Sequence, residues 1–434
     1  MTANAEQIRS VGWRVAEIRV GGVTMVRVVV REEPEFMRST PSSVIALLAA
    51  ALLVAPACGS DNAPAVARGE VVSTTPVTQL SAEQTTTYLT SANIGTSARN
   101  GVDAYRVVYR TVTPEGGPTT ASGLVVLPRT ESRRLRVVTY EHGTLVLKSD
   151  APSVNDTRAD RARTIMFAAA GYAAIAPDYL GLGEGPGAHP YTHAPSEVSA
   201  SVDLLRAART MAAGQQHDLD SDVLVTGFSQ GGQAATALGK ALQGGEAPGF
   251  GLATLAPISG PYDVQHVETP GAIEGRVLPA VAVFFLAYWI TAMNRIYHFY
   301  DRPVDAFQEP IADRVEQLFD GQQNEITIGT ALPVRPELLL TPKFLALAQD
   351  PSGTAREAVA ASDGTCDWTP RVPVRLYAAT GDRNVLYANA EHCLQAMRTD
   401  LATLTDLGDI DHSATVRVAL PQILDWFQRE IPAT

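Results

Sequence analysis

Gly227, Phe228, Ser229, Gln230 and Gly231 spell G-x-S-x-G, and the flanking residues give that string a chemical meaning. Asp222 to Thr226 reads as a short strand and Gly232 to Leu242 as a helix, so Ser229 falls on the turn between them. A turn that tight forces strained backbone angles, and side chains at 227 or 231 would collide with neighbouring elements. The serine hydroxyl then projects at the carboxyl edge of a sheet, where ligands of open α/β sheets bind. A hydroxyl is a weak nucleophile. It needs a base, and the base needs a carboxylate to hold its tautomer and stabilise its charged form. The plain alternative is a Gly-rich strand-to-helix loop with no chemistry.

Of eight histidines, His412 follows the final strand in Asp409, Ile410, Asp411, His412, Ser413 and is placed to reach back over the sheet edge. His142 belongs to another motif and His392 falls mid-helix. His189, His193, His217, His266 and His298 lie in connections or in an inserted region and read as surface or cap residues. For the acid, Asp382 follows a strand at Val374 to Ala378 through Ala379, Thr380 and Gly381. Asp409 and Asp411 compete only by nearness in sequence and read as solvated loop charges. The order Ser229, Asp382, His412 separates this arrangement from the other common serine triads. A developing oxyanion needs backbone donors. Gln230 supplies one amide at the helix start, and Thr144, in Tyr140, Glu141, His142, Gly143, Thr144, supplies the second.

These residues need a scaffold, and the chain contains one. It has 434 residues, 45% hydrophobic and only 18% charged, enough to bury a sizeable core. Lys plus Arg is 34 against 46 Asp plus Glu, and the net charge of −12 would repel a phosphate backbone, which argues against nucleic acid as a partner. A helix-like segment, Ser81 to Ser91, precedes two runs, Ala104 to Val112 and Ser122 to Leu127, that read as an antiparallel hairpin. Strands at Leu135 to Tyr140, Tyr172 to Ala176, Asp222 to Thr226 and Leu252 to Ile258 then alternate with helices near Arg158 to Ala170, Glu197 to Ala213 and Gly232 to Leu242. That alternation predicts an α/β fold with a mostly parallel sheet covered by helices on both faces. It stops between Pro261 and Trp368, where Val277 to Met293 reads either as a buried helix or as a cap helix over a site, and resumes with Val374 to Ala378. By this count the insertion lies between strands 6 and 7. A helix near Ala388 to Met397, a strand near Leu401 to Leu407 and a helix from Ala414 to Arg429 complete the pattern.

The amino-terminal region carries a compartment signal. Met37 and Arg38 precede an apolar run, Val44 to Val54, of signal-peptide length, followed by Ala55, Pro56, Ala57 and Cys58. Residues 1–36 hold five Arg and five Glu and fit no leader, so the expected organisation starts with an extension, 1–36, ahead of a true start at Met37. A signal peptide, 37–57, and a tether, 58–80, follow. The catalytic core comprises 81–260 and 369–434, with a helical cap at 261–368. Cys58, with small residues before it, resembles a bacterial lipoprotein site where the cysteine takes a lipid and anchors the protein to a membrane. Ordinary signal cleavage nearby is the other reading. Cys366 and Cys393 either form one bridge at the base of the cap or remain two free thiols. No Cys or His pair has metal-ligand spacing with a second pair nearby, so no metal site is expected.

The strings "YEHGT", "APDYLGLG", "VLVTGFSQGG", "PVRLYAATGDRNV" and "DIDHSA" resemble the bacterial secreted α/β-hydrolases akin to the secretory lipase family, which includes the fungal lipase A type. The likeness spans roughly residues 100 to 430. It implies a serine carboxylic ester hydrolase acting on small-molecule or lipid acyl esters through an acyl-enzyme that water resolves, so that no cofactor is required. It also implies that the insertion is a helical lid and that Asp178 belongs to a structural turn. Phe228 departs from the His or Tyr common at that place, which on this reading bears on the acyl pocket and not on the triad. Two other readings share the motifs: a serine peptidase of the prolyl oligopeptidase kind, whose propeller residues 59–100 are too short to build, and a silent hydrolase fold used for binding.

Overall fold

The computed structural model describes residues 13–20, 23–31 and 67–433. Two compact units result. In the first, β1 (Trp13–Val20) and β2 (Val23–Arg31) form an antiparallel hairpin within the segment expected as an extension. The expected signal peptide and Cys58 lie outside the described residues.

The second unit is built on a nine-stranded sheet in the order β11-β10-β9-β8-β6-β7-β5-β4-β3. Its strands are β3 (Val71–Leu80), β4 (Val102–Val112), β5 (Pro118–Pro128), β6 (Arg134–Glu141), β7 (Ala173–Pro177), β8 (Asp218–Phe228), β9 (Gly251–Ile258), β10 (Val374–Ala378) and β11 (Ala402–Asp406). From β7 to β11 every pairing is parallel, while β3, β4 and β5 add antiparallel strands at one side. The strands alternate strictly. Val125, Val137, Val223 and Val225 point to one buried layer, and Leu124, Val126, Val138 and Leu224 point to the other. Helices α3 (Ala194–Gly214), α4 (Gln230–Gly244) and α13 (Ala388–Met397) cover the first layer; α1 (Ala82–Ser91), α2 (Ala159–Ala169) and α14 (His412–Glu430) cover the second.

Three expectations need correction. The tether was expected to run to residue 80, yet 71–80 form β3, an edge strand paired with β4. Pro76 hid it, but a proline is tolerated on an edge, and the register shifts beside it, between Pro76 and Thr78. Counting β3, the insertion follows the seventh strand of this sheet rather than the sixth. β8 also begins four residues before Asp222, because the polar stretch from Asp218 pairs along β6 despite its lack of apolar alternation.

Between β9 and β10 the chain leaves the sheet for eight helices, α5 (Thr269–Ile273) to α12 (Thr354–Ser362). The longest, α6 (Pro279–Tyr297), covers the apolar run seen in the sequence; it is long and apolar enough to pass as a membrane span by length and composition alone, and it packs Val283, Tyr288 and Ile290 into the apolar cluster of the insertion. The insertion has its own apolar cluster, centred on Val283, Tyr288, Ile290, Phe307, Phe319 and Leu339. Cys366, just beyond α12, is bonded to Cys393 on α13, with Cα atoms 5.2 Å apart.

Candidate active site

Strand order explains where the reactive groups gather. The chain runs from β6 to β7 and crosses back over β6 to β8, so the carboxyl ends of β6 and β8 lie side by side, as at the switch point of an open sheet. Ser229 follows β8 directly and precedes the first turn of α4, with φ 59° and ψ −123°. A non-glycine residue pays for that left-handed φ, and the surroundings enforce it: Ser229 N donates to Ile258 O at 2.9 Å, and Gly232 N donates back to Ser229 O at 2.7 Å. A Cβ at Gly227 would strike Gly231 O, and one at Gly231 would strike Glu141 O, so only glycine permits the β8 turn to nest against β6.

Ser229 Oγ donates to His412 Nε2 at 2.9 Å, and His412 Nδ1 donates to Asp382 Oδ2 at 2.6 Å. The other Asp382 oxygen accepts from Asn384 N at 2.8 Å and Val385 N at 3.1 Å, so the carboxylate is aimed by its own loop. All three side chains are buried. His412 is the first residue of α14 and not part of the loop before it, and Asp411, read as a solvated loop charge, caps that helix by accepting from Ala414 N at 2.9 Å.

Thr144 and Gln230 stand on either side of Ser229, at the end of β6 and the head of α4. Gln230, as the first residue of its helix, has no intrahelical acceptor for its N–H. Gly143 brings the β6 loop against the elbow: a Cβ there would sit 3.5 Å from Ser229 Cβ. The Thr144 hydroxyl is paired with Tyr191 Oη at 2.9 Å. Phe228 does not line the apolar pocket described below. Its ring packs on His412 at 4.7 Å between centroids, with the Arg163 guanidinium 5.7 Å from the ring centroid, so this side chain supports the base. Asp178 is a buried brace, accepting from Ser122 Oγ at 2.6 Å, Ser153 N at 3.0 Å and Ser153 Oγ.

Two pockets meet at Ser229. One, of about 950 Å³ including its mouth, is walled by Phe285, Leu286, Trp289 and Ile290 of α6 with Phe344 and Leu347, and Glu268 is its sole charged lining residue. Burial pushes the Glu268 carboxyl up to about 7, against hydrogen bonds from Leu386 N and the Asn389 amide. The other, of about 1300 Å³, is more polar, with Arg158, Asp160, Arg163, Glu325, Asn384 and His412 on its walls. Among the described residues no cluster of three or more His, Cys, Asp or Glu is arranged to hold a metal.

A second set of polar groups went unread in the sequence. Glu141, Glu197 and His189 are buried beneath the elbow, although His189 and His193 were expected at the surface or in the cap. Burial pushes both glutamates up to about 8 and His189 down to about 3. Glu141, a carboxylate ending an apolar strand, is the single one of these with a signal in the sequence.

A family model described as secretory lipase matches residues 148–431. Among curated proteins none matches the chain. A protein of Legionella pneumophila described as a hydrolase has a TM-score of 0.76 at 26% identity, covering 83% of this chain and 98% of its own. LipA of Xanthomonas oryzae, described as a rice cell wall degrading esterase, has a TM-score of 0.73 at 27% identity, covering 84% and 98%. Candida antarctica lipase A in its closed state has a TM-score of 0.60 at 16% identity, covering 83% of each chain, a likeness of fold alone. The sheet, the helices on both faces and the helical insertion are those of the α/β-hydrolase fold expected from the sequence.

Proposed function

The chain belongs to the secretory lipase family and is a carboxylic ester hydrolase, and from that premise we propose that Ser229, His412 and Asp382 carry the reaction through an acyl-enzyme. Ser229 Oγ attacks the ester carbonyl while His412 Nε2 takes its proton; Asp382 holds the other ring nitrogen and stabilises the imidazolium. The amides of Thr144 and Gln230 receive the charge that develops on the carbonyl oxygen. His412 then returns the proton to the leaving alkoxide, and water, activated by the same imidazole, releases the acid. The observation that carries this reading is the unbroken relay of 2.9 and 2.6 Å from Ser229 to Asp382.

The two pockets divide the ester. The apolar one takes the acyl chain, and the polar, wider one takes the alcohol. Export is part of the same reading, with residues 37–57 as its signal and the Cys366 to Cys393 bond supporting an oxidising compartment; Cys58 is then either the lipid-bearing residue or a neighbour of an ordinary cleavage site.

Ser229→Ala is expected to abolish turnover of a short p-nitrophenyl ester and labelling by a fluorophosphonate probe, with an unchanged circular dichroism spectrum. Most of the activity surviving in that variant would sink the assignment.

A further inference from the structure

The Gln230 side chain is turned away from the two pockets and into a buried polar cluster. His189 Nδ1 donates to Leu180 O at 2.9 Å, which leaves Nε2 with a lone pair. Gln230 Nε2 donates one hydrogen to that nitrogen at 2.8 Å and the other to Glu197 Oε1 at 2.8 Å. The orientation of the Gln230 amide is therefore settled by its partners.

Glu197 and Ser201 lie four residues apart on α3, hence on one face, and Ser201 Oγ donates to Glu141 Oε2 at 2.9 Å. This brings the two carboxyl groups together under the elbow. Beside Ser201, the Tyr179 hydroxyl faces the Glu141 carboxyl as a second donor, while among the described residues three buried oxygens there, Glu141 Oε1, Glu197 Oε2 and Gln230 Oε1, have no partner. Neither carboxyl bonds to a cation. The titratable groups around the pair are Tyr109 from β4 and Tyr179, His189 and Tyr191 from the segment after β7. Two carboxylates in that setting would be buried anions with no counter-charge, a far costlier state than a neutral acid.

We propose that Glu141 and Glu197 are both protonated at neutral pH, and that this neutral pair positions Gln230 and the first turn of α4 for catalysis. A carboxyl O–H supplies the donor that the orphaned oxygens lack, and a neutral pair places no negative charge beneath the point where the oxyanion forms. Burial pushes both groups up to about 8, and a charge on Glu141 raises Glu197 further, while hydrogen bonds from Ser201 and Tyr179 pull Glu141 the other way. The positioning role rests on the ester-hydrolase mechanism given above; the held protons do not.

Infrared difference spectroscopy tests the protons directly. The spectrum of the unaltered protein minus that of Glu141→Gln/Glu197→Gln at pH 7 is expected to show the carbonyl band of a neutral carboxylic acid; identical spectra in that region overturn the proposal. Kinetics on a short ester tests the role. A Gln at 197 keeps an oxygen to accept from Gln230 Nε2 and carries no charge, as the protonated acid does, so Glu197→Gln should keep kcat within about threefold. It should also move the alkaline fall in kcat to higher pH. Glu197→Ala should lose about ten- to a hundredfold in kcat with KM within about twofold. An alkaline limb unmoved in Glu197→Gln, or equal losses in the Gln and Ala variants, overturns the positioning role, and the Gln variants decide even if the Ala variant does not fold. If the unaltered protein lacks esterase activity, the mechanism fails while the infrared result still stands or falls alone.

Discussion

The sheet core and the cap contribute to one site in different ways. The core positions its groups through backbone: Ser229 is held by main-chain bonds to Ile258 and Gly232, and Asp382 by the amides of Asn384 and Val385. The cap contributes side chains, and nearly all of its contribution to the apolar pocket is hydrocarbon. On the proposed mechanism, a displacement in the core would misalign reacting atoms, whereas a displacement in the cap would change the volume and shape of the apolar pocket. The two are joined by a seam of aromatic rings and one covalent bond. Tyr288 of α6 stacks on Tyr191 at 4.2 Å and on Phe319 at 4.8 Å, and its hydroxyl donates to Leu145 O at 3.0 Å, next to the oxyanion loop. The reacting groups are thus fixed by main-chain bonds, while the apolar pocket is shaped by side chains.

The contrast breaks most visibly in the core. Asp382→Asn leaves the packing but removes the carboxylate that sets the His412 tautomer, and kcat should fall about 10⁴-fold for every ester regardless of chain length, as a steady-state series would show. A loss confined to long esters would mean that the acid serves the pocket and not the base. Next in size is the seam. The bond between Cys366 and Cys393 closes a 27-residue separation, and Cys366→Ser/Cys393→Ser should cost about 3 kcal/mol in denaturant unfolding while kcat stays near that of the parent. Within the cap, Leu286→Trp should lower kcat/KM on long acyl esters roughly tenfold and leave the shortest ester nearly untouched. Equal losses at all lengths would place the acyl chain elsewhere.

Core and cap also share a slope of stability with pH. Glu141 and Glu197 have folded-state values raised to about 8 from 4.5, so the unfolded chain gives up those protons first and stability drops as pH rises between these values. His189 works the other way: its folded value is lowered to about 3, so its effect sets in only below 6.5. From pH 6.5 to 8 the glutamates act without it, and Tm should decline across that window. Glu141→Gln/Glu197→Gln should flatten the decline; an unchanged slope would place its origin in other groups.

The elbow was legible because its demands are local. Two glycines flanking a serine between an apolar strand and a helix leave few other conformations, and loops after β6, β10 and β11 are where an open sheet presents groups. β3 was hidden by Pro76, whose cost vanishes on an edge that sequence alone does not identify. Phe228 was tied to the acyl pocket by the family resemblance, as a departure from the His or Tyr common at that place, yet its ring packs on His412 and near Arg163, both remote in sequence. Glu197 carried no signal on α3, since its partner Gln230 is 33 residues away and meets it only when α3 and α4 pack on the same face.

By itself the sequence determined the fold class, the turn that carries Ser229 and the chain order of the candidate triad, since periodicity, glycine sterics and strand ends are all local properties. Only the tertiary structure decided which carboxylate faces His412, which rings wall the acyl pocket and which buried acids lie beneath the elbow. Those depend on contacts between residues tens to nearly two hundred positions apart, and their energies arise from burial and geometry that no local pattern encodes.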